Sequence, residues 1–188
     1  MRHYNNHWGF GGNRFLMAVW IIICLIFCGC QSQEPALSPA ARAFKSEIKE
    51  CIDRLSGPLI GPITNKDLKA INETLATVEP QVVKLCRMCP FRIGALDRDG
   101  DTLATYPMKT DTGFNFSGYE LVAQTIKNRK ISQQRFFLQD GSEIYIICAP
   151  LLDKEELVGL LAISLSAEEA KARWGLSQKE FLALDFNK

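Results

Sequence analysis

The first spacing in this chain that could do chemistry is Cys86-Arg87-Met88-Cys89. A redox dithiol keeps its nucleophile at a helix amino terminus, where the dipole lowers the thiol pKa. This pair instead follows an apolar helical stretch and precedes a strand, so the dipole works the other way. Haem attachment needs a histidine where Pro90 stands. The same spacing is half of a four-cysteine zinc site, but a structural disulfide or a pair of buried thiols is the simpler reading. Asp97, Asp99 and Asp101 could attract calcium. A calcium loop of the helix-loop-helix type needs glycine at its sixth position and glutamate at its twelfth, and Thr102 and Met108 stand there, so a solvated turn is expected and no metal site.

Arg135 is the third candidate. A two-residue turn at Asp140-Gly141 would set Phe137 opposite Ile144 and Arg135 opposite Ile146. Arg135 would then share a sheet face with Phe137, Ile144, Ile146 and Cys148, while Phe136 and Tyr145 take the other. A guanidinium on an apolar face needs a ligand carboxylate, an internal Asp or Glu, or water at the sheet edge. Tyr106, Phe116 and Tyr119 bracket the loop that would cover a pocket, beside Phe114, and complete the ligand-binding candidates with Arg135 and Phe137. Aromatic residues at such positions also serve as plain core.

These residues sit in a legible frame. Phe91 to Asp97 and Thr102 to Tyr106 flank the turn Asp97-Arg98-Asp99-Gly100 and read as a hairpin. Ser132 to Gln139, Ser142 to Leu151 and Leu157 to Leu165 read as a meander, cornered at Asp140-Gly141 and at Asp153 to Glu156. Leu157 to Ile163 is apolar at nearly every position, which marks a strand covered on both faces, whereas Gln133, Gln134 and Gln139 mark an edge. Between hairpin and meander, Tyr119 to Asn128 reads as a helix. Before them, Ser38-Pro39 starts a helix along Phe44, Ile48, Cys51, Ile52 and Leu55, which Ser56-Gly57-Pro58 should stop. Thr64 and Asp67 then form a capping box for a second helix reaching Pro80, with Val82, Val83 and Cys86 beyond. Ser166 with Glu169, and Ser177 with Glu180, cap two final helices. The fold class expected is α+β: a five-stranded antiparallel sheet with long N-terminal helices packed on it.

The chain has 188 residues, 47% of them hydrophobic, which suits a targeting segment and one domain. Both histidines, His3 and His7, lie in the leader, so the remainder lacks histidine and with it Ser-His-Asp and Cys-His catalysis. Beyond residue 29 there are 20 basic and 21 acidic residues, so nucleic acid is not an expected partner. With no glycine-rich phosphate loop either, a non-enzyme without cofactors is expected.

Arg2 and Arg14 precede the unbroken apolar run Phe15 to Phe27, a signal-peptide layout too short to favour an uncleaved anchor. Its ending, Phe27-Cys28-Gly29-Cys30, resembles a bacterial lipobox. That resemblance implies cleavage after Gly29, diacylglyceryl attachment at Cys30 and a membrane anchor in the cell envelope, with Gln31 favouring the outer membrane. Residues 1–29 are then leader, 30–37 a tether and 38–188 the domain, comprising helices over 38–89, the sheet region 91–165 and C-terminal helices over 166–186. Cys51, Cys86, Cys89 and Cys148 form an even set in an oxidising compartment. Cys51 with Cys148 and Cys86 with Cys89 is one pairing, and Cys51 with Cys86 another.

The order of elements, the turn in Gly94-Ala95-Leu96-Asp97-Arg98-Asp99-Gly100 and the meander ending in Leu157-Val158-Gly159-Leu160-Leu161-Ala162-Ile163-Ser164 resemble an extracytoplasmic single Cache (PAS-like) domain. The resemblance implies a long amino-terminal helix on one sheet face and a small-ligand pocket under the helix and loops after the second strand. It also implies a sensor that, with the chain ending shortly after the domain, reports to an envelope signalling partner. A structural or interaction lipoprotein with a self-filled core is the alternative, and an envelope thiol oxidoreductase using Cys86 and Cys89 a third.

Overall fold

The computed structural model describes residues 37–77, 92–107 and 114–188, all within one compact unit, Leu37–Lys188. Helix α1 spans Pro39–Thr64, its start fixed by Ser38, whose hydroxyl accepts from Ala41 N at 3.1 Å. Its buried stripe runs Ala41, Phe44, Ile48, Cys51, Ile52, Leu55, Leu59 and Ile63, the 3.6-residue period of an amphipathic helix. The expected stop at Ser56-Gly57-Pro58 does not occur, and the helix continues through Pro58 and Pro62. Each interior proline costs about 3 kcal/mol, and burying Leu55, Leu59 and Ile63 contributes roughly 1.5–3 kcal/mol apiece, so the stripe offsets the breaks. Gly57, Pro58 and Gly61 lie on the exposed side, where a carbonyl that loses its donor meets water.

Helix α2, Leu68–Ala76, follows a tight turn with Lys66 at φ 52°. Its cap is Asp67, which accepts from Ala70 N at 3.0 Å, and not Thr64, whose hydroxyl is still bonded inside α1 to the Ile60 carbonyl. The expected helical continuation through Pro80 to Cys86 lies outside the described residues.

Strands β1 (Ile93–Asp97), β2 (Thr102–Tyr106), β3 (Ser132–Phe137), β4 (Glu143–Asp153) and β5 (Glu156–Ser166) form one antiparallel sheet in the order β2-β1-β5-β4-β3. The apolar β5 is central and the glutamine-bearing β3 is an edge. At the β1–β2 corner Asp97 Oδ1 accepts from both Asp99 N and Asp101 N at 2.9 Å, and Gly100 takes φ 85° against Ser117. Helix α3, Glu120–Asn128, crosses one sheet face, while α4, Ala167–Trp174, and α5, Gln178–Ala183, close the other together with α1 and α2. Ser166 caps α4, and Ser177 and Glu180 make the expected capping box of α5.

Candidate functional site

Which side chains share a face is decided at the β3–β4 corner. Leu138 N donates to Ser142 O at 2.8 Å, so the loop has three residues, Gln139-Asp140-Gly141, with Gly141 at φ 81° and Asp140 Oδ1 accepting from Ser142 N and Oγ. The expected two-residue turn is thereby corrected, and one residue of slip reverses every assignment on β3. Arg135 pairs with Tyr145, Phe136 with Ile144 and Phe137 with Glu143. Arg135 and Phe137 therefore lie on the helix-covered first face and not beside Ile144, Ile146 and Cys148, and Phe136 joins the second face.

The first face is filled by its own side chains. A cross-strand row of Tyr106, Ile93, Ile163, Ile147 and Gln133 runs across it. Above, Phe44 meets Trp174, Phe181 and Phe186 edge-on, with centroids 5.2–6.3 Å apart, and Tyr145 stacks on Phe181 at 4.0 Å. Burial pushes the Tyr145 phenol above its usual range, with Glu143 adding to the effect and Arg135 opposing it. Arg135 lies 3.8 Å from Glu143 and stacks over Phe137, 4.8 Å from its centroid, so the internal carboxylate supplies its partner.

The adjoining row on the second face is Thr105, Gly94, Ala162, Cys148 and Ser132. None of these side chains extends more than three heavy atoms, and the four from Gly94 to Ser132 stop at two. Leu96 and Leu160 flank it, and Leu121 and Val122 of α3 lie in the same apolar cluster, with Phe116, Ile126, Phe136 and Ile146 packed around them. Two hydroxyls are wholly buried here, Thr125 and Ser164. Thr125 donates to the Leu121 carbonyl at 2.8 Å, whereas Ser164 Oγ has no hydrogen-bond partner among the described residues.

The five ligand-binding candidates divide between the faces. Tyr106, Arg135 and Phe137 belong to the first. Phe116 and Tyr119 belong to the second, within an aromatic ladder from Phe114 through Phe116 and Tyr119 to Phe136 with centroids 5.5–6.4 Å apart. Ser164 and the small-residue row were missed because no single segment contains them. They emerge only when four strands are laid in register.

The expected Cys51–Cys148 bridge is also corrected. Cys51 is in the first-face core, Cys148 in the second, and both are free thiols. Burial pushes Cys51 up to about 11, with Arg54 opposing, and Cys148 up to about 12, with the Thr125 hydroxyl opposing. Cys30, Cys86 and Cys89 lie outside the described residues. At the aspartate turn, Asp97 is engaged by backbone amides, Asp99 faces Arg98 at 3.8 Å and Asp101 accepts from Asn115 Nδ2 at 2.8 Å. Among the described residues no cluster of three or more metal-ligating side chains occurs, and no helix is long and apolar enough to cross a membrane. A cleft of about 320 Å³ opens at the far end of α1, between Lys66, Arg98 and Glu156. Ile63, Leu157 and Val158 line it beside these charges, and Leu157 also packs against the edge of the second-face cluster.

This architecture is a PAS/Cache-like α+β fold, a five-stranded antiparallel sheet with a long N-terminal helix packed on it. Three solved structures share it. An extracellular ligand binding receptor from Desulfohalobium retbaense DSM5692 is 15% identical, with TM-score 0.54 over 76% of this chain and 27% of that one. A domain ascribed to a sensory box/GGDEF family protein of Vibrio parahaemolyticus is 16% identical, with TM-score 0.54 over 74% of this chain and 60% of that one. The ligand-binding domain of the Pseudomonas fluorescens chemoreceptor CtaA, in complex with L-isoleucine, is 14% identical, with TM-score 0.51 over 86% of this chain and 65% of that one. The chain thus spans less than two thirds of the length of each. No family model matches the sequence, and no curated protein matches it.

Proposed function

We propose that this chain is a non-catalytic, small-molecule-binding domain held at the cell envelope by a lipid on Cys30, with the outer membrane favoured and a signalling protein as its partner. The observation that carries the binding reading is the contrast between adjacent cross-strand rows, isoleucines on the helix-covered face and Gly94, Ala162, Cys148 and Ser132 on the other. A sheet that needed only to be filled gains nothing from so shallow a row under α3. The fold is shared with domains described as ligand-binding, which supports the same use here. Phe116 and Tyr119 are the candidates this reading retains, as the lip of the site. Tyr106, Arg135 and Phe137 lie on the opposite face, Tyr106 against its core and Phe137 exposed.

The test is a melting screen of the full chain, purified in detergent, against carboxylates, amines and nucleobases. A ligand that binds only the folded state raises the melting temperature by mass action. No shift across the panel favours the second reading, an interaction lipoprotein with a self-filled core, which the closed second-face cluster supports through its six residues at 6% exposure or less. Mass spectrometry of the mature amino terminus checks the anchor, where cleavage after Gly29 with a diacylglyceryl group on Cys30 is the expected product.

A further inference from the structure

We infer that Ser164 is the polar anchor of the second-face site, and that the ligand is a compact, mostly apolar molecule presenting one carbonyl-type oxygen to the Ser164 hydroxyl. The inference rests on the small-molecule-binding reading and specifies its chemistry. Ser164 follows Ala162 by two residues on β5 and pairs with Ile146, which places its side chain on the face of Cys148 and beside the shallow row. Its amide is satisfied, donating to the Arg92 carbonyl at 2.8 Å, so its hydroxyl is the group left without a partner among the described residues. It is 0% exposed, and a buried hydroxyl without a hydrogen bond is costly enough that proteins seldom keep one idle.

The neighbouring hydroxyl shows the contrast. Thr125, equally buried, spends its proton on the Leu121 carbonyl within its own helix. No described residue accepts the proton of Ser164, which leaves the hydroxyl free for an acceptor that a ligand brings. A carbonyl or carboxylate oxygen supplies one. The row from Gly94 to Ser132 and the flanking Leu96 and Leu160 then suit a body of a few carbons, and Leu121 and Val122 would cover it.

The experiment is a melting titration of the full chain and of Ser164→Ala with three probes: 2-pentanone, butyrate and L-isoleucine. Melting is followed by tryptophan fluorescence, since Trp174 sits in the first core. The expected result is stabilisation of the wild type by 2-pentanone or butyrate, about tenfold weaker in Ser164→Ala, the loss of one hydrogen bond. Whichever of the two works identifies the oxygen as neutral or charged. Because Ser164→Ala removes an unsatisfied group, its ligand-free melting temperature should equal or exceed the wild type's, which separates lost binding from lost folding. If 2-pentanone or butyrate stabilises both proteins equally, or L-isoleucine alone stabilises them, the anchor is wrong while the binding reading stands. If no probe shifts the wild type, and the wider screen is silent too, both fall together.

Discussion

The two faces of this sheet are built from neighbouring residues of the same strands, yet both are buried with side chains of very different size. On the first, Ile93, Ile147 and Ile163 interlock beneath Phe44, Phe181, Phe186 and Trp174, and five aromatic rings meet edge-on or stacked. On the second, one residue further along each strand, the row shrinks to Gly94, Ala162, Cys148 and Ser132 under a single nine-residue helix, with an orphaned hydroxyl alongside. A strand's period of two lets one sequence build two differently packed faces, with large side chains above the odd-numbered residues of β4 and the small-residue row on the even side.

That division is broken most directly by truncating one large side chain on each face. Phe44→Ala should cost about 3–5 kcal/mol in chemical denaturation, because three rings lose their common neighbour. Leu121→Ala should fall near the low end of the range for leucine truncations, about 2 kcal/mol, since part of the surface beneath α3 is the small-residue row. Equal costs would mean that both faces are packed alike.

The first face was largely readable in advance. Alternation in β4, the apolar run of β5, the cap at Ser38 and the box at Ser177 and Glu180 are local signals, and each appears where expected. Two errors had local causes of another kind. Pro58 and Pro62 are strong breakers by propensity, but the stripe through Leu55, Leu59 and Ile63 outweighs them, a tertiary effect that no short window contains. The Asp140-Gly141 pair suits both a two- and a three-residue hairpin loop, and choosing wrongly moved Arg135 to the opposite face. The candidate site was less legible. Phe116 and Tyr119 could be named from position alone, whereas the shallow row draws one residue from each of four strands.

The cysteines sharpen the comparison, since each face buries one. At pH 8 the thiolate fraction at Cys51, with its pKa near 11, should be about a hundredfold below that of an ordinary thiol, and that at Cys148 lower still. Maleimide labelling read by peptide mass spectrometry should find both unmodified in the native protein and reactive in denaturant. Native labelling of Cys148 but not Cys51 would show that the second face opens while the first stays shut. A smaller effect is expected from Ser164→Ala without ligand, a gain of about 1 kcal/mol as an unsatisfied hydroxyl is removed. A loss of similar size would show that the hydroxyl is already bonded, and the asymmetry between the faces would shrink.

The smallest effect concerns how the first-face layer is tied at its rim. Glu180 closes the α5 capping box on Ser177 and also bonds Ser38, the cap of α1, so one carboxylate joins the starts of two helices. The Ser177 hydroxyl, then the Ser38 hydroxyl and the Ser177 amide, hold its pKa down at about 2 against an ordinary 4.5. A carboxyl whose pKa is lower folded than unfolded contributes stability that is fully present above 4.5 and disappears as the pH falls through about 2. Denaturation midpoints measured from pH 6 to pH 2 should therefore decline along a limb that is shallower in Glu180→Gln. The two proteins should converge at the acid end, where wild-type Glu180 is itself protonated. An unchanged slope would mean that the exposed carboxylate is solvated and that packing at Phe44 and Phe181 alone fastens α5 to α1. The first face would then owe its closure entirely to its rings.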